Sequence, residues 1–176
     1  AGHAVMGYER ILKPMLRFKS EVYYQYLWNI PVEQNPTSFS LANTGSGFER
    51  FFPDTLVNEG KQQNYGVELT LEKYFSKTYY FMLTLALFDS KYTASDNITR
   101  NTDFNGRYAT SALFGKEFNL SKKSMLSLGA NITAIGGRWF GPADITASNR
   151  AREVIVIDSL RNTQQFPDYF RADIKV

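Results

Sequence analysis

The chain has 176 residues, 43% hydrophobic and 15% aromatic, with 20 Lys and Arg against 17 Asp and Glu for a formal net charge of +3. That length allows at most one domain or a piece of one, and the mild, interleaved charge gives no basic stripe, so no nucleic-acid partner is expected. Cysteine is absent and His3 is the one histidine, which leaves too little for a disulfide framework, a thiolate or multi-histidine metal site or a cysteine nucleophile, and a structural or ligand-facing role is expected for His3 rather than a place in a Ser-His-Asp triad.

The chain lacks the run of roughly eighteen apolar residues that a membrane-crossing helix requires. The first twelve residues, AGHAVMGYERIL, lack the charged and then apolar regions of a secretory leader. Residues 3–12 alternate, with Ala4, Met6 and Tyr8 on one parity and Gly7 and Glu9 on the other, which predicts a strand. Lys13-Pro14-Met15 predicts a turn, because proline cannot donate within a ladder. Residues 16–32 predict a second strand. Leu16, Phe18, Val22, Tyr24, Tyr26 and Trp28 share one parity, and Arg17, Lys19, Glu21, Tyr23 and Gln25 the other. The apolar band ends in Tyr-Tyr-Trp, which fits a membrane-interface girdle as well as a strand over a soluble core.

Residues 33–63 are rich in Pro, Gly and Asn and read as a long loop carrying Phe48, Phe51 and Phe52. Residues 64–96 then form the longest amphipathic stretch, predicted as one antiparallel hairpin around Ser76-Lys77-Thr78. Tyr65, Val67, Leu69, Leu71, Tyr79, Phe81, Leu83, Leu85 and Leu87 fall on the apolar parity, and Glu68, Thr70, Glu72 and Thr84 on the polar one. Each arm holds about ten residues, the length that crosses a bilayer as a tilted strand. A polar loop at 97–106 precedes a strand over 108–120, a short turn at 121–124 and a strand from 125, broken by Gly136-Gly137 before Trp139 and Phe140. A long polar connection, 141–168, surrounds the apolar run 154–157. Phe170, Ala172, Ile174 and Val176 alternate with Arg171, Asp173 and Lys175 in a last, unfinished strand.

The fold class is therefore all-β, an antiparallel meander of about seven long amphipathic strands forming part of a large transmembrane β-barrel. Connections alternate between short and long, as periplasmic turns and extracellular loops do in outer-membrane barrels. Gly-x-Glu recurs ahead of three short turns, in GYERIL at 7–12, GVELTL at 66–71 and GKEFNL at 115–120. Lys116 departs from the pattern by falling on the lipid-side parity, where it can snorkel to an interface. On the lumen side the expected residues are Glu9, Arg17, Lys19, Glu21, Glu68, Glu117, Arg171 and Asp173. Glu9, Glu68 and Glu117 are expected to pair with Arg17, Lys19, Arg171 and Lys175 rather than serve as an acid–base set. Asp89, Ser90, Asp96 and Asn97 lack the glycine and bidentate glutamate of a calcium loop. Asn97-Ile98-Thr99 and Asn131-Ile132-Thr133 match a glycosylation sequon, a frequent chance match. No cofactor or metal is expected, and no catalysis. The loop aromatics Phe48, Phe51, Phe52, Tyr92, Trp139 and Phe140 are the candidates for ligand contact, with girdle or loop packing as the alternative.

The stretches YERILKPMLRFKSEVYYQYLWNIPV, NEGKQQNYGVELTLEKYFS, YYFMLTLALFDSKY, RNTDFNGRYATSALFGKEF and GGRW, with the terminal YFRADIKV, resemble the C-terminal barrel of TonB-dependent outer-membrane receptors. The type is the one carrying an N-terminal carboxypeptidase-regulatory-like domain. The resemblance covers nearly the whole chain. It implies a barrel of about 22 strands with a plugged lumen, in the Gram-negative outer membrane. It also implies partners: outer-membrane lipid, the TonB complex acting through a plug domain, and an extracellular ligand. That ligand class spans siderophore, haem, cobalamin, glycan and peptide. Residues 1–176 would then be an incomplete barrel segment lacking the plug domain and the final strands, since both ends fall inside patterned strands. The alternatives are a small structural or adhesive outer-membrane barrel, a soluble lipid-binding β-barrel or sandwich, and, least favoured by the single histidine, an outer-membrane hydrolase.

Overall fold

In a computed structural model, which describes residues 1–44 and 52–176, the chain is all-β, with 64% of residues in strands and 8% in helices. Two long strands open it, β1 (Gly2–Lys13) and β2 (Leu16–Glu33). A 3₁₀ turn at Leu41–Asn43 follows, then the long hairpin of β3 (Leu56–Ser76) and β4 (Tyr79–Thr93). The short β5 (Thr99–Asn101) precedes a second hairpin, β6 (Tyr108–Ser121) and β7 (Ser124–Ile135). The two-residue β8 (Trp139–Phe140), the helix α1 (Ile145–Ala151) and β9 (Gln164–Gln165) lead to β10 (Tyr169–Lys175).

The main sheet runs β1-β2-β3-β4-β6-β7-β10, with β5 added to β4, and β8 pairs with β9 separately. Every pairing is antiparallel. Neighbours in sequence are neighbours in space, so the sheet is a meander, and it does not close: β1 and β10 each have one unpaired edge.

Registers carry the alternation across the whole sheet. One face runs through Tyr24, Tyr65 and Asp89, and through Phe18, Leu71, Leu83 and Ala112. Further along the same face, Ala112 lies opposite Ile132 and Ile132 opposite Ala172. The other face sets Arg17 against Glu72, Glu21 against Glu68, Thr70 against Thr84, and Thr84 against Ser111. A two-residue side-chain period kept over seven paired strands yields one apolar and one polar surface. A 350 Å³ hollow opens on the polar side, lined in part by Glu68, Thr70, Thr84, Ser111 and Thr133.

Three tight turns lie at one end. Met15 has φ 66°, so Pro14-Met15 matches a turn with proline first and a left-handed residue second. Lys77 and Thr78 both have positive φ, 52° and 71°, the pattern of the hairpin turn that follows the twist of the strands. At the other end the connections are long and fold together.

Sequence pattern and structure differ at three places. Residues 56–63, expected as loop, extend β3, because their backbone pairs with the end of β2 from Leu27↔Gln62 to Glu33↔Leu56. Residues 99–101, expected in a polar loop, form β5 against Lys91, Tyr92 and Thr93. The connection at 141–168 holds α1, capped by the Asp144 side chain accepting from the Ala147 N–H at 2.9 Å. There the apolar run doubles back beside 142–144: Asp144 N–H donates to Ile155 O and Ile157 N–H to Pro142 O. These segments are polar in composition, and their order comes from tertiary hydrogen bonds that no local period reveals.

Candidate functional site: the loop cap

The buried residues gather at the long-connection end. Val32, Tyr92 and Ala94 are 0–4% exposed and form the apolar core, with Val57 packed against it. The other residues buried there are mainly polar: Ser38, Ser40, Asn43, Arg100, Thr102, Asn105 and Asn162. Among the described residues the wall strands lack such a centre. Buried polar groups are costly unless hydrogen-bonded, and the cap supplies partners for most of its own, two amide oxygens excepted.

Asp103 is the hub. Its Oδ1 accepts from Asn43 Nδ2 at 2.7 Å and from Asn162 Nδ2 at 2.8 Å, and its own N–H donates to Asn43 Oδ1 at 2.8 Å. One carboxylate thus fastens the segment after β2 and the segment after α1 to the loop between β5 and β6. Asn105 is fully buried, donating to Asp89 Oδ1 at 2.7 Å and Asn101 Oδ1 at 2.9 Å. Trp139 Nε1 donates to the Asn105 carbonyl at 2.7 Å. Tyr92 hydroxyl donates to Ser38 O at 3.1 Å, and Ser38 N–H and hydroxyl both donate to Asp158. Asn105 Oδ1 and Asn162 Oδ1 are buried without a hydrogen-bond partner.

Arg100 and Asp96 form the most buried ion pair among the described residues, with side chains 4% and 14% exposed. Burial works against the Asp96 carboxylate. The Arg100 hydrogen bonds, the Ile98 N–H and the Arg100 charge outweigh it, and its pKa lies below the ordinary 3.8. Asp168 is also held below that value, by the Tyr108 hydroxyl at 2.7 Å and the Gly137 N–H at 3.0 Å. Gly136 and Gly137 have no Cβ for a close-packing reason: one added there would strike the backbone carbonyls of Gly106 and Phe166.

A cavity of about 320 Å³ opens in the cap between Ile98–Asn101, Trp139 and residues 159–163. Its chemistry is mixed. The Trp139 ring supplies a flat apolar surface, Thr99, Ser159 and Thr163 supply hydroxyls, and Lys91 and Arg161 supply cations. Lys91 is partly neutralised by Asp89 at 3.1 Å, and Arg161 only distantly by Asp103 at 3.9 Å. An aromatic face with donors around it suits a polar organic ligand.

The expected ligand-contact aromatics scatter. Phe48 and Phe51 lie outside the described residues. Phe52 is 89% exposed and Phe140 stacks on Phe166 with centroids 4.2 Å apart. Trp139 lines the cavity. Tyr92 does not belong with them: at 1% exposure it is a core residue. The lumen set keeps one face: Glu9 lies opposite Lys19, Glu21 opposite Glu68, Glu117 opposite Ser127, and Asp173 opposite Asn131. The expected ion pairing is only partly present. Arg17 lies 2.6 Å from Glu72 and 3.5 Å from Glu9, Lys19 pairs with Glu21 and Arg171 with Asp173. Among the described residues Glu68, Glu117 and Lys175 have no ion pair, because the register puts each opposite an uncharged or like-charged residue. Asp89 and Asp96 take separate partners and do not cluster.

Sequence reading missed the cap network of Asn43, Asn101, Asp103, Asn105, Asp158 and Asn162. One signal was present, Asn or Asp at every second position of 101–105 ahead of Gly106. No family model, curated protein or solved structure matches the chain.

Proposed function

We propose that this chain is a wall segment of a TonB-dependent outer-membrane transporter, with the cap at the extracellular mouth and the tight turns at the periplasmic side. The observation that carries the reading is the union of two asymmetries in one sheet. One face is apolar across seven strands while the other is polar, and one end has short turns while the other has long, ordered connections. A sheet that exposes Val22, Leu83, Leu87 and Ile132 on a single face is suited to hydrocarbon. Backbone groups left open along β1 and β10 are costly in lipid, and further barrel strands on both sides would satisfy them. The Gly-x-Glu repeat fits the same wall. Gly66 and Gly115 lie on the lumen face, where the rings of Tyr23 and Tyr80 from neighbouring strands lie over them.

In this reading the cap cavity beside Trp139 contributes to capturing an extracellular ligand, and uptake proceeds through plug movement driven by the TonB complex. The role is transport, not catalysis. His3 sits exposed on the edge strand β1 opposite Gln25.

Cysteine labelling of the full-length parent protein in intact cells tests the reading. Ile98→Cys and Thr146→Cys, both exposed in the cap, should react with a membrane-impermeant maleimide. Lys77→Cys and Lys122→Cys, exposed at the turns, should react only after the outer membrane is opened. Equal labelling of both sets in intact cells, or a parent protein that fractionates as soluble, would refute it.

A further inference from the structure

The turn end of the wall carries an unbalanced charge. Three cations project from the apolar face: Arg10 lies opposite Phe18, Lys73 opposite Leu16 and Phe81, and Lys116 opposite Tyr79 and Leu128. The turns below add Lys13, Lys77, Lys122 and Lys123, all exposed. Among the described residues none of these cations enters an ion pair; every pair found lies on the lumen face or at the cap end. The carboxylates near this end, Glu9, Glu72 and Glu117, belong to the opposite face, and the first two are held by Arg17.

The two wall lysines also share a pose. Lys73 Nζ bends over the Tyr79 ring, 3.7 Å from its centroid, and donates to Ser76 O and Tyr79 O, each at 2.9 Å. Lys116 Nζ sits 4.7 Å from the Phe118 ring centroid. In both cases the stem lies on the apolar face and the ammonium is drawn to an aromatic ring of the turn end, as a lysine does at an interface. The cap end of the same face is arranged differently. There the tyrosines meet carboxylates, Tyr65 hydroxyl donating to Asp89 at 3.0 Å and Tyr108 hydroxyl to Asp168 at 2.7 Å.

We propose that the turn-end collar of Arg10, Lys73 and Lys116, with the turn lysines beneath it, binds the headgroups of anionic phospholipids in the leaflet that meets the turns. This rests on the membrane-wall reading and names a partner for it. Cations without an ion pair near the turns, beside an apolar band, match phosphate at the headgroup level under acyl chains.

The test uses the full-length parent protein, extracted from membranes and titrated with phosphatidylglycerol or phosphatidylethanolamine in detergent, with bound lipids counted by native mass spectrometry. The expected result is preferential retention of phosphatidylglycerol, lowered at least fivefold in Lys73→Gln/Lys116→Gln and in Lys122→Gln/Lys123→Gln. Arg150→Gln, exposed in α1 of the cap and outside the cavity, should leave retention unchanged. Wild-type protein that is membrane-integrated but shows no phosphatidylglycerol preference, or equal retention in all three variants, overturns the collar alone. Wild-type protein absent from the membrane fraction overturns the wall reading and the collar with it.

Discussion

The strand wall and the loop cap of this chain are built on opposite principles. In the wall, strands as long as the 21-residue β3 are joined by long antiparallel ladders, yet Met6, Val22, Leu83 and Leu87 are 45–78% exposed. The wall has order without a core. The cap has little regular structure and a buried centre in which Asn105 and Asn162, with the half-buried Asp103 beside them, replace much of what apolar side chains usually do. Under the proposed membrane role, a wall of this kind is completed from outside, by lipid on one face and further strands at its edges. A cap of this kind is completed from inside, by hydrogen bonds that must all be made together.

The sharpest way to break the contrast is at Tyr92. Tyr92→Ala should cost the cap about 3–5 kcal/mol, the range for truncating a large buried ring. Hydrogen exchange should show lost protection at residues 34–44 and 94–107 while the β6–β7 hairpin keeps its own. Uniform loss would mean the two regions unfold as one. Next in size is charge on the wall. If the wall lies in a membrane as proposed, Leu85→Arg, on the apolar face, should destabilise it by roughly 2–4 kcal/mol, whereas Thr84→Arg, one residue away on the polar face, should cost little. Heat-modifiable gel mobility reads both, and equal effects would remove the assignment of faces.

A smaller effect is expected where a ring lies over a glycine. A Cβ at Gly115 would meet the Tyr80 ring well inside contact distance. Gly115→Ala should therefore cost about 1–3 kcal/mol by overpacking, and adding Tyr80→Ser should recover most of it in the same mobility assay. The smallest is pH. Asp96 has a folded pKa below its ordinary 3.8. Its pairing with Arg100 therefore stabilises the cap fully above the unfolded value, and that contribution fades as pH falls through the folded one. Limited proteolysis near residues 94–107 should accelerate below about pH 4, the ordinary carboxylate range, and Asp96→Asn should cleave rapidly at pH 7 already.

The wall was legible because its information is local and periodic. Parity at 16–28, 65–71 and 79–87 names the two faces without any knowledge of partners, and Pro14 and the polar 76–78 mark the turns. The Gly-x-Glu repeat was visible too, but its cause was not, since Tyr23 and Tyr80 come from neighbouring strands. Ion pairing was legible for Arg17 and not for Glu68, because a one-face list does not say which residues sit opposite.

The amino-acid sequence by itself determined the all-β class, the order of long strands and tight turns, and which side chains share a surface, because a strand's two-residue period is a property of the backbone. Only the tertiary structure decided the cap. Asn43, Asp103 and Asn162 are up to 119 positions apart in the chain, 162 minus 43, and polar loop residues carry no period that foretells their meeting. They are brought together by the antiparallel meander, which returns every long connection to the same end of the sheet. Burial of Tyr92 and Val32 beneath them then makes their mutual hydrogen bonds obligatory.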